Sequence, residues 1–226
     1  MYRYETHLHT APVSRCGKAT VEETVRFYKD AGYAGIFVTN HFLNGNLNME
    51  KTENYETRLN FYYSDYEAAK KLGEELGIAV FCAEEMSYKG TDFLIYGIDK
   101  QWYLEHPEIL EMKTTELLTM LDESGALIIQ AHPYMEAGYI DHIRLFPRHV
   151  HGVEILNGCK SDFVNAMAAH YAQAYDLIPV AGSDNHRGAG LARYAGLETD
   201  TPIADVRDFI TRVKNRQMQI FCWEKE

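Results

Sequence analysis

The chain opens with two histidines two residues apart, His7 and His9, in YETHLHTAPVSRCG, residues 4–17. On a strand, side chains at i and i+2 point to the same side, so this pair can grip one ion. Metal-capable residues then recur along the chain: His41 in VTNH, Glu84 and Glu85 in CAEEMS, His132 in QAHP, Glu154 in VEILN, and Asp184 with His186 in GSDNH. Imidazole with carboxylate suits Zn, Mn or Fe better than Mg or Ca. One carboxylate can bridge two ions, which suits a multinuclear site. Taken singly, each motif has a bland explanation. Paired histidines are common on exposed strands, His132 could be a core histidine, and SDNH could be a helix cap. Their joint placement at the ends of predicted strands argues for a shared site. The other histidines, His106, His142, His149, His151 and His170, are read as solvated or structural.

The elements that must position these residues alternate between strand and helix patterns. Residues 2–9 read as a first strand, and 35–41 (GIFVTNH) as a buried strand ending in polar residues. Further strands are predicted at IAVFCAEE, DFLIYGID, ALIIQAH, GVEILN, IPVAGSDNH and ARYAGLET. Thr20 with Glu23, and Ser64 with Glu67, have capping-box spacing, with Gly32 and Gly77 as helix stops. Further helices are predicted over 114–125, SDFVNAMAAHYAQAYD and TPIADVRDFITRVKNRQ, the last with Pro202 near its first turn. Residues 43–59 read as a long loop covering whatever lies at His41. Strand–helix alternation with short apolar strands predicts a parallel sheet flanked by helices. In a closed parallel barrel the strand ends share one face, where active sites sit.

Composition bounds the rest. The length of 226 residues fits one domain over 1–226. The formal charge is −11, from 33 acids against 22 bases, with no basic cluster, so a stable nucleic-acid partner is not expected. No apolar run approaches the roughly 18 residues of a membrane span, and no secretory signal is evident. Cys16, Cys82, Cys159 and Cys222 are scattered without a CxxC pair, which suits a cytoplasmic setting. Oligomeric state is not legible.

The ordered set HLHT, TNH, AEEMS, AHP, VEILN and GSDNH resembles the PHP (polymerase and histidinol phosphatase) superfamily, over residues 1 to about 200. The resemblance implies a distorted (β/α)7 TIM-like barrel holding two or three divalent ions (Mn, Fe or Zn) that hydrolyses phosphate esters. Carried over residue by residue, it makes His7 and His9 the opening pair for the first metal, closed by Asp184. It makes Glu85 the bridging carboxylate in preference to Glu84, since only one of two neighbours on a strand can face the site. His41 and His186 match ligands of the second metal, and His132 of the third. Where relatives supply a His before the strand FLIYGID, this chain has Asp92, which is either a third-site ligand or a turn residue. Where relatives supply an Asp or His after the HxH, the chain reads Ser14, Arg15, Cys16, Gly17. That leaves either a weaker second metal or an Arg15 that holds substrate phosphate.

The expected activity is therefore a metal-dependent phosphoesterase acting on a small phosphorylated metabolite or nucleotide, histidinol phosphate being one candidate. Cations offset the repulsion between ester and hydroxide and acidify the attacking water. Asp184 or His186 would assist proton transfer, and Arg15 and Arg187 would hold phosphate oxygens. Arg193 is read as surface. Two rival readings are an amidohydrolase-like C–N hydrolase, for which no strand-end lysine is present, and a non-catalytic metal-binding accessory module.

Overall fold

A computed structural model describes residues 1–225. It contains nine strands: β1 (Tyr2–Leu8), β2 (Gly35–Val38), β3 (Ala79–Tyr88), β4 (Thr91–Tyr96), β5 (Leu127–Ala131), β6 (Gly152–Asn157), β7 (Ile178–Gly182), β8 (Arg193–Thr199) and β9 (Gln219–Glu224). Its helices are α1 (Val21–Asp30), α2 (Tyr55–Leu76), α3 (Lys100–Glu105), α4 (Thr114–Glu123), α5 (Asp162–Ala174) and α6 (Val206–Lys214).

The strands form one sheet in the order β7-β6-β5-β4-β3-β2-β1-β8-β9. The sheet curls until β7 meets β1. There Leu8 and Asn185 bridge in parallel, the Thr6 hydroxyl donates to the Ala181 carbonyl at 2.5 Å, and the Ser183 N–H donates to Glu5 at 2.9 Å. The result is the expected barrel-like α/β fold, nearly closed. Among the described residues no helix is long and apolar enough to cross a membrane.

Strand direction departs from simple alternation. β1, β2 and β3 run parallel, as do β5, β6 and β7, but β4 is antiparallel to both β3 and β5. The cause is local: β3 and β4 are joined only by Lys89 and Gly90, both at positive φ (50° and 81°). A two-residue turn of that kind makes a hairpin and leaves no room for a crossover. β8 and β9 extend the sheet past β1 as antiparallel strands, and β9 was not expected from the sequence.

The helices also differ in places. The Thr20–Glu23 capping box forms as expected. The Ser64–Glu67 box does not: α2 starts at Tyr55 with Asn54 as its cap, and Ser64 lies inside the helix, donating to the Phe61 carbonyl. The expected 43–59 loop is therefore shorter by one helical turn. Gly77 does end α2, in the left-handed region. α6 starts at Val206, capped by Asp205, so Pro202 precedes it.

Side chains alternate between barrel interior and helix layer. Tyr4, Phe37, Tyr96 and Ile129 pack inside with Phe209, Ile210 and Val213 of α6, which plugs that end. Ile36 and Val38, the neighbours of Phe37, pack outward with Val25, Tyr28 and Ala69 of α1 and α2. A register shift between Glu5 and Leu8 in the β1–β2 pairing changes the phase of β1. Tyr4 faces the interior, yet Leu8 packs outward with α1, so His7 and His9 turn inward. Such an irregularity re-aims side chains next to a site.

Candidate metal centre

At the end opposite α6, the strand ends bring His7, His9, His41, Glu85, His132, Asp184 and His186 together. Backbone pairing does the positioning. The His9 N–H donates to the Asn185 carbonyl at 2.8 Å and the Asn185 N–H to the His7 carbonyl at 3.1 Å, which sets Asp184 and His186 beside the opening pair. Past the end of β2, the Glu85 N–H donates to the Asn40 carbonyl and the Phe42 N–H to the Glu85 carbonyl, which sets His41 beside Glu85. Gly182 lets the strands approach here: a Cβ would meet the His7 Cβ at 2.5 Å and Glu154 Oε1 at 2.8 Å.

Glu85 lies at the centre. Its Oε1 is 3.3 Å from both His7 Nε2 and His132 Nε2, while Oε2 is 3.3 Å from His9 Nε2 and 2.6 Å from His41 Nδ1. One carboxylate thus faces two different pairs of imidazoles, the arrangement of a bridging ligand. Asp184 Oδ1 lies 3.6 Å from His7 Nε2 and 3.5 Å from His9 Nε2. Glu84 points the other way, into the helix layer, where it accepts the Tyr63 hydroxyl at 3.0 Å.

The far nitrogens of the imidazoles are held from behind. Glu154 Oε1 is 2.9 Å from His7 Nδ1, the Ser14 hydroxyl 3.2 Å from His9 Nδ1, and the Asp184 carbonyl 2.9 Å from His186 Nδ1. A partner on one ring nitrogen fixes the tautomer and aims the other, as metal sites require. His132 and Asp184 adopt φ of 27° and 55°, a region non-glycine residues rarely enter. The His132 N–H is anchored there on Glu154 Oε2 at 3.1 Å. Strain of this kind concentrates at functional sites.

Electrostatics favour cations. Burial alone would raise the carboxyl pKa values of Glu85 and Asp184. The facing imidazoles of His41, His7 and His9 hold Glu85 well below the usual range, and His7 and Lys160 do the same for Asp184. Burial opposes protonation of His7, but Glu154, Asp184 and Glu85 outweigh it and raise its pKa. Burial keeps His9 neutral, helped by His186 and His41. Although 2.6 Å apart, Glu85 Oε2 and His41 Nδ1 make no hydrogen bond, and both are buried. Buried polar atoms without partners are costly. An unpartnered imidazole nitrogen and carboxylate oxygen, amid further imidazoles and carboxylates, fit divalent ions bound by His7, His9, Glu85, Asp184, His132, His41 and His186.

The cluster forms the floor of an open cavity of about 640 Å³. Asn44, Gly45 and Asn46 of the 43–54 segment line it, as the loop reading expected. Asp92 lies in its wall, buried. Burial and the nearby Glu85 raise its carboxyl pKa, and it falls outside the three-residue groups whose ligand atoms converge. The two arginines expected to hold phosphate lie outside this cavity's lining. Arg15 is half exposed and turns toward Glu50 at 4.0 Å, away from the cavity, because consecutive residues of the 14–17 turn point in different directions. Arg187 is exposed and lines a separate surface groove with Lys18 and Glu23. Arg193 holds Asp162 and the Lys160 carbonyl.

Two residues that the sequence did not single out occupy the places foreseen for those arginines. Lys160 lines the cavity with its Nζ 2.8 Å from Asp184 Oδ2. Cys16 lines it with Sγ 3.2 Å from His41 Nε2. Burial would raise that thiol, but the neighbouring His186 and His41 imidazoles bring it down to about 6. Neither had a motif signal, since both sit on loops between strand and helix.

No family model matches the chain. It is 30% identical over 138 residues to an uncharacterized protein of Methanocaldococcus jannaschii, covering 58% of this chain and 48% of that one. The chain thus spans about half the length of this curated relative. Among solved structures, it is similar to a two-domain protein of Bacteroides vulgatus containing a predicted PHP-like metal-dependent phosphoesterase. That match has a TM-score of 0.67 and 14% identity, over 97% of this chain and 64% of that one. A proposed metal-dependent phosphoesterase of Bifidobacterium adolescentis matches with a TM-score of 0.57 and 11% identity, over 96% of each chain. An amidohydrolase of Chromobacterium violaceum matches with a TM-score of 0.50 and 15% identity, over 96% of this chain and 97% of that one. With the strand-end cluster in place, the chain has the fold of the PHP-like metal-dependent phosphoesterases.

Proposed function

We propose that the protein is a metal-dependent phosphoesterase acting on a small phosphorylated substrate, with two or three divalent ions held by His7, His9, His41, Glu85, His132, Asp184 and His186. The observation that carries this reading is Glu85, buried between two pairs of imidazoles at the floor of an open cavity. Bound divalent ions supply charge that offsets a phosphate dianion and acidify water near it.

The chain's own residues take the remaining roles. Lys160 is the cation placed to meet an anionic group entering the cavity, in the role expected of Arg15 and Arg187. Its ammonium stays charged, because Asp184 more than offsets the effect of burial. Asp184 contributes charge and ligation, since a carboxyl held so far down takes no proton near neutrality. His186, at the cavity wall, serves as a ligand, with its Nδ1 held by the Asp184 carbonyl. The exposed ring of Tyr139 at the rim offers a surface for the organic part of the substrate.

A C–N hydrolase needs a similar metal pair, and one similar fold is an amidohydrolase. Here the bridge position is filled by Glu85, so no modified lysine is required, which favours the phosphoester. The test is hydrolysis of a panel of phosphomonoesters and small amides by Mn-, Fe- and Zn-loaded protein beside chelated controls. Metal-dependent turnover of a phosphoester supports the reading. Turnover confined to amides would overturn it.

A further inference from the structure

The opening turn places a thiol where the ion near His41 and His186 would sit. Cys16 Sγ lies 3.2 Å from His41 Nε2, and Cys16 lines the same cavity as His186. These two imidazoles and that of His9 already bring their ring nitrogens within 4.8 Å of one another. The turn is pinned there by backbone contacts. The Lys18 N–H donates to the His186 carbonyl at 2.7 Å, the Arg15 N–H to the Asn46 carbonyl at 3.0 Å, and the Gly17 N–H to the Ser14 carbonyl at 2.9 Å. Gly17 allows the approach, since a Cβ there would meet the Thr10 backbone at 2.8 Å. A second feature borders the same three imidazoles: Glu85 Oε2, in a side chain 1% exposed and without a hydrogen-bond partner, lies 3.3 Å from His9 Nε2 and 2.6 Å from His41 Nδ1, the ring edge opposite Cys16.

We propose that Cys16 is a thiolate ligand, completing with His41, His186 and Glu85 a sulfur-containing site that selects zinc or another thiophilic ion over Mn or Mg. Nitrogen, sulfur and carboxylate oxygen together form a zinc-type donor set, and a soft thiolate discriminates against hard ions. This rests on the metal-binding part of the proposed function and not on the bond cleaved.

The test is spectroscopic and needs no substrate. Apo protein is loaded with Co(II), and the near-ultraviolet thiolate-to-cobalt charge-transfer band is recorded for wild type and for Cys16→Ser, Cys82→Ser, Cys159→Ser and Cys222→Ser. The band is expected in wild type and in the last three variants, and lost in Cys16→Ser with cobalt still bound. Cys16→Asp, which keeps a ligand, is expected to bind metal without the band and to shift the Zn-over-Mn preference toward Mn by at least about tenfold. A band unchanged in Cys16→Ser, or no band in fully loaded wild type, would overturn the proposal. Absence of phosphatase activity in the same samples would bear on the reaction and leave the ligand assignment standing.

Discussion

Glu154 stands directly behind His7, its Oε1 2.9 Å from Nδ1, while its Oε2 accepts the His132 N–H at 3.1 Å and an Asn157 amide hydrogen at 2.8 Å. A single buried carboxylate thereby orients one imidazole and the backbone of another. Glu154→Gln removes the charge and leaves the shape. Metal affinity, measured by competition with a chelator, is expected to fall roughly 10- to 100-fold while the circular dichroism spectrum is retained. Unchanged affinity would show that Glu154 only fills space.

The two adjacent acids of β3 separate structure from chemistry. Glu85→Gln is expected to lose bound metal and activity together, as read by elemental analysis. Burial pushes Glu84 up to about 8, so it is mostly neutral at pH 7, and Glu84→Gln is nearly isosteric with that form. That variant is expected to keep its metal and to unfold within about 1 kcal/mol of wild type. The opposite pattern would mean that the register of β3 is wrong.

Cationic contacts with substrate are expected from Lys160, which faces the cavity, and not from Arg15 or Arg187, which face solvent. Lys160→Met should cost roughly ten- to a hundredfold in kcat/KM on the best phosphoester, mainly through KM, without lowering metal content. Arg15→Ala and Arg187→Ala should be silent. A large effect at Arg15 would place the substrate outside this cavity.

His151 carries a pH-dependent part of stability outside the strand-end cluster. Burial lowers its pKa, with Lys214 adding to this and Asp122 partly offsetting it, while its Nδ1 accepts the Ile128 N–H at 3.1 Å. A histidine depressed in the folded state stabilises above its unfolded pKa of about 6.5, and this is lost as pH falls through the folded value. Urea unfolding from pH 8 to 5 should therefore show a steeper acid-side loss in wild type than in His151→Asn. Parallel curves would contradict the sign.

The strand-end cluster was legible because each of its residues falls at the end of an expected strand, and polar side chains at the ends of buried strands have little structural reason to be there. His7, His9, His41, His132, Asp184, His186 and the Glu84–Glu85 pair were read that way, and the preference for Glu85 came from the family resemblance. The direction of β4 was signalled by Lys89-Gly90 but lost among helix-like crossovers. The start of α2 was hidden because Ser64–Glu67 mimics a capping box inside an aromatic-rich helix that Asn54 already caps. The choice between Arg15 and Cys16 was not readable, since spacing alone does not say which residue of a turn faces inward. Lys160 becomes visible only when the loop after β6 is set beside Asp184.

The barrel seam has a consequence for how the chain acquires its site. Glu5 is tied to Ser183 across 178 residues, and His7 to Glu154 across 147. Contacts so distant in sequence carry a large loop-closure cost and form late. A chain emerging from the ribosome exposes HLHT well before it has Asp184 or His186 to set against it. Binding at full strength therefore awaits the last third of the chain, and ions added during refolding should accelerate only the final phase.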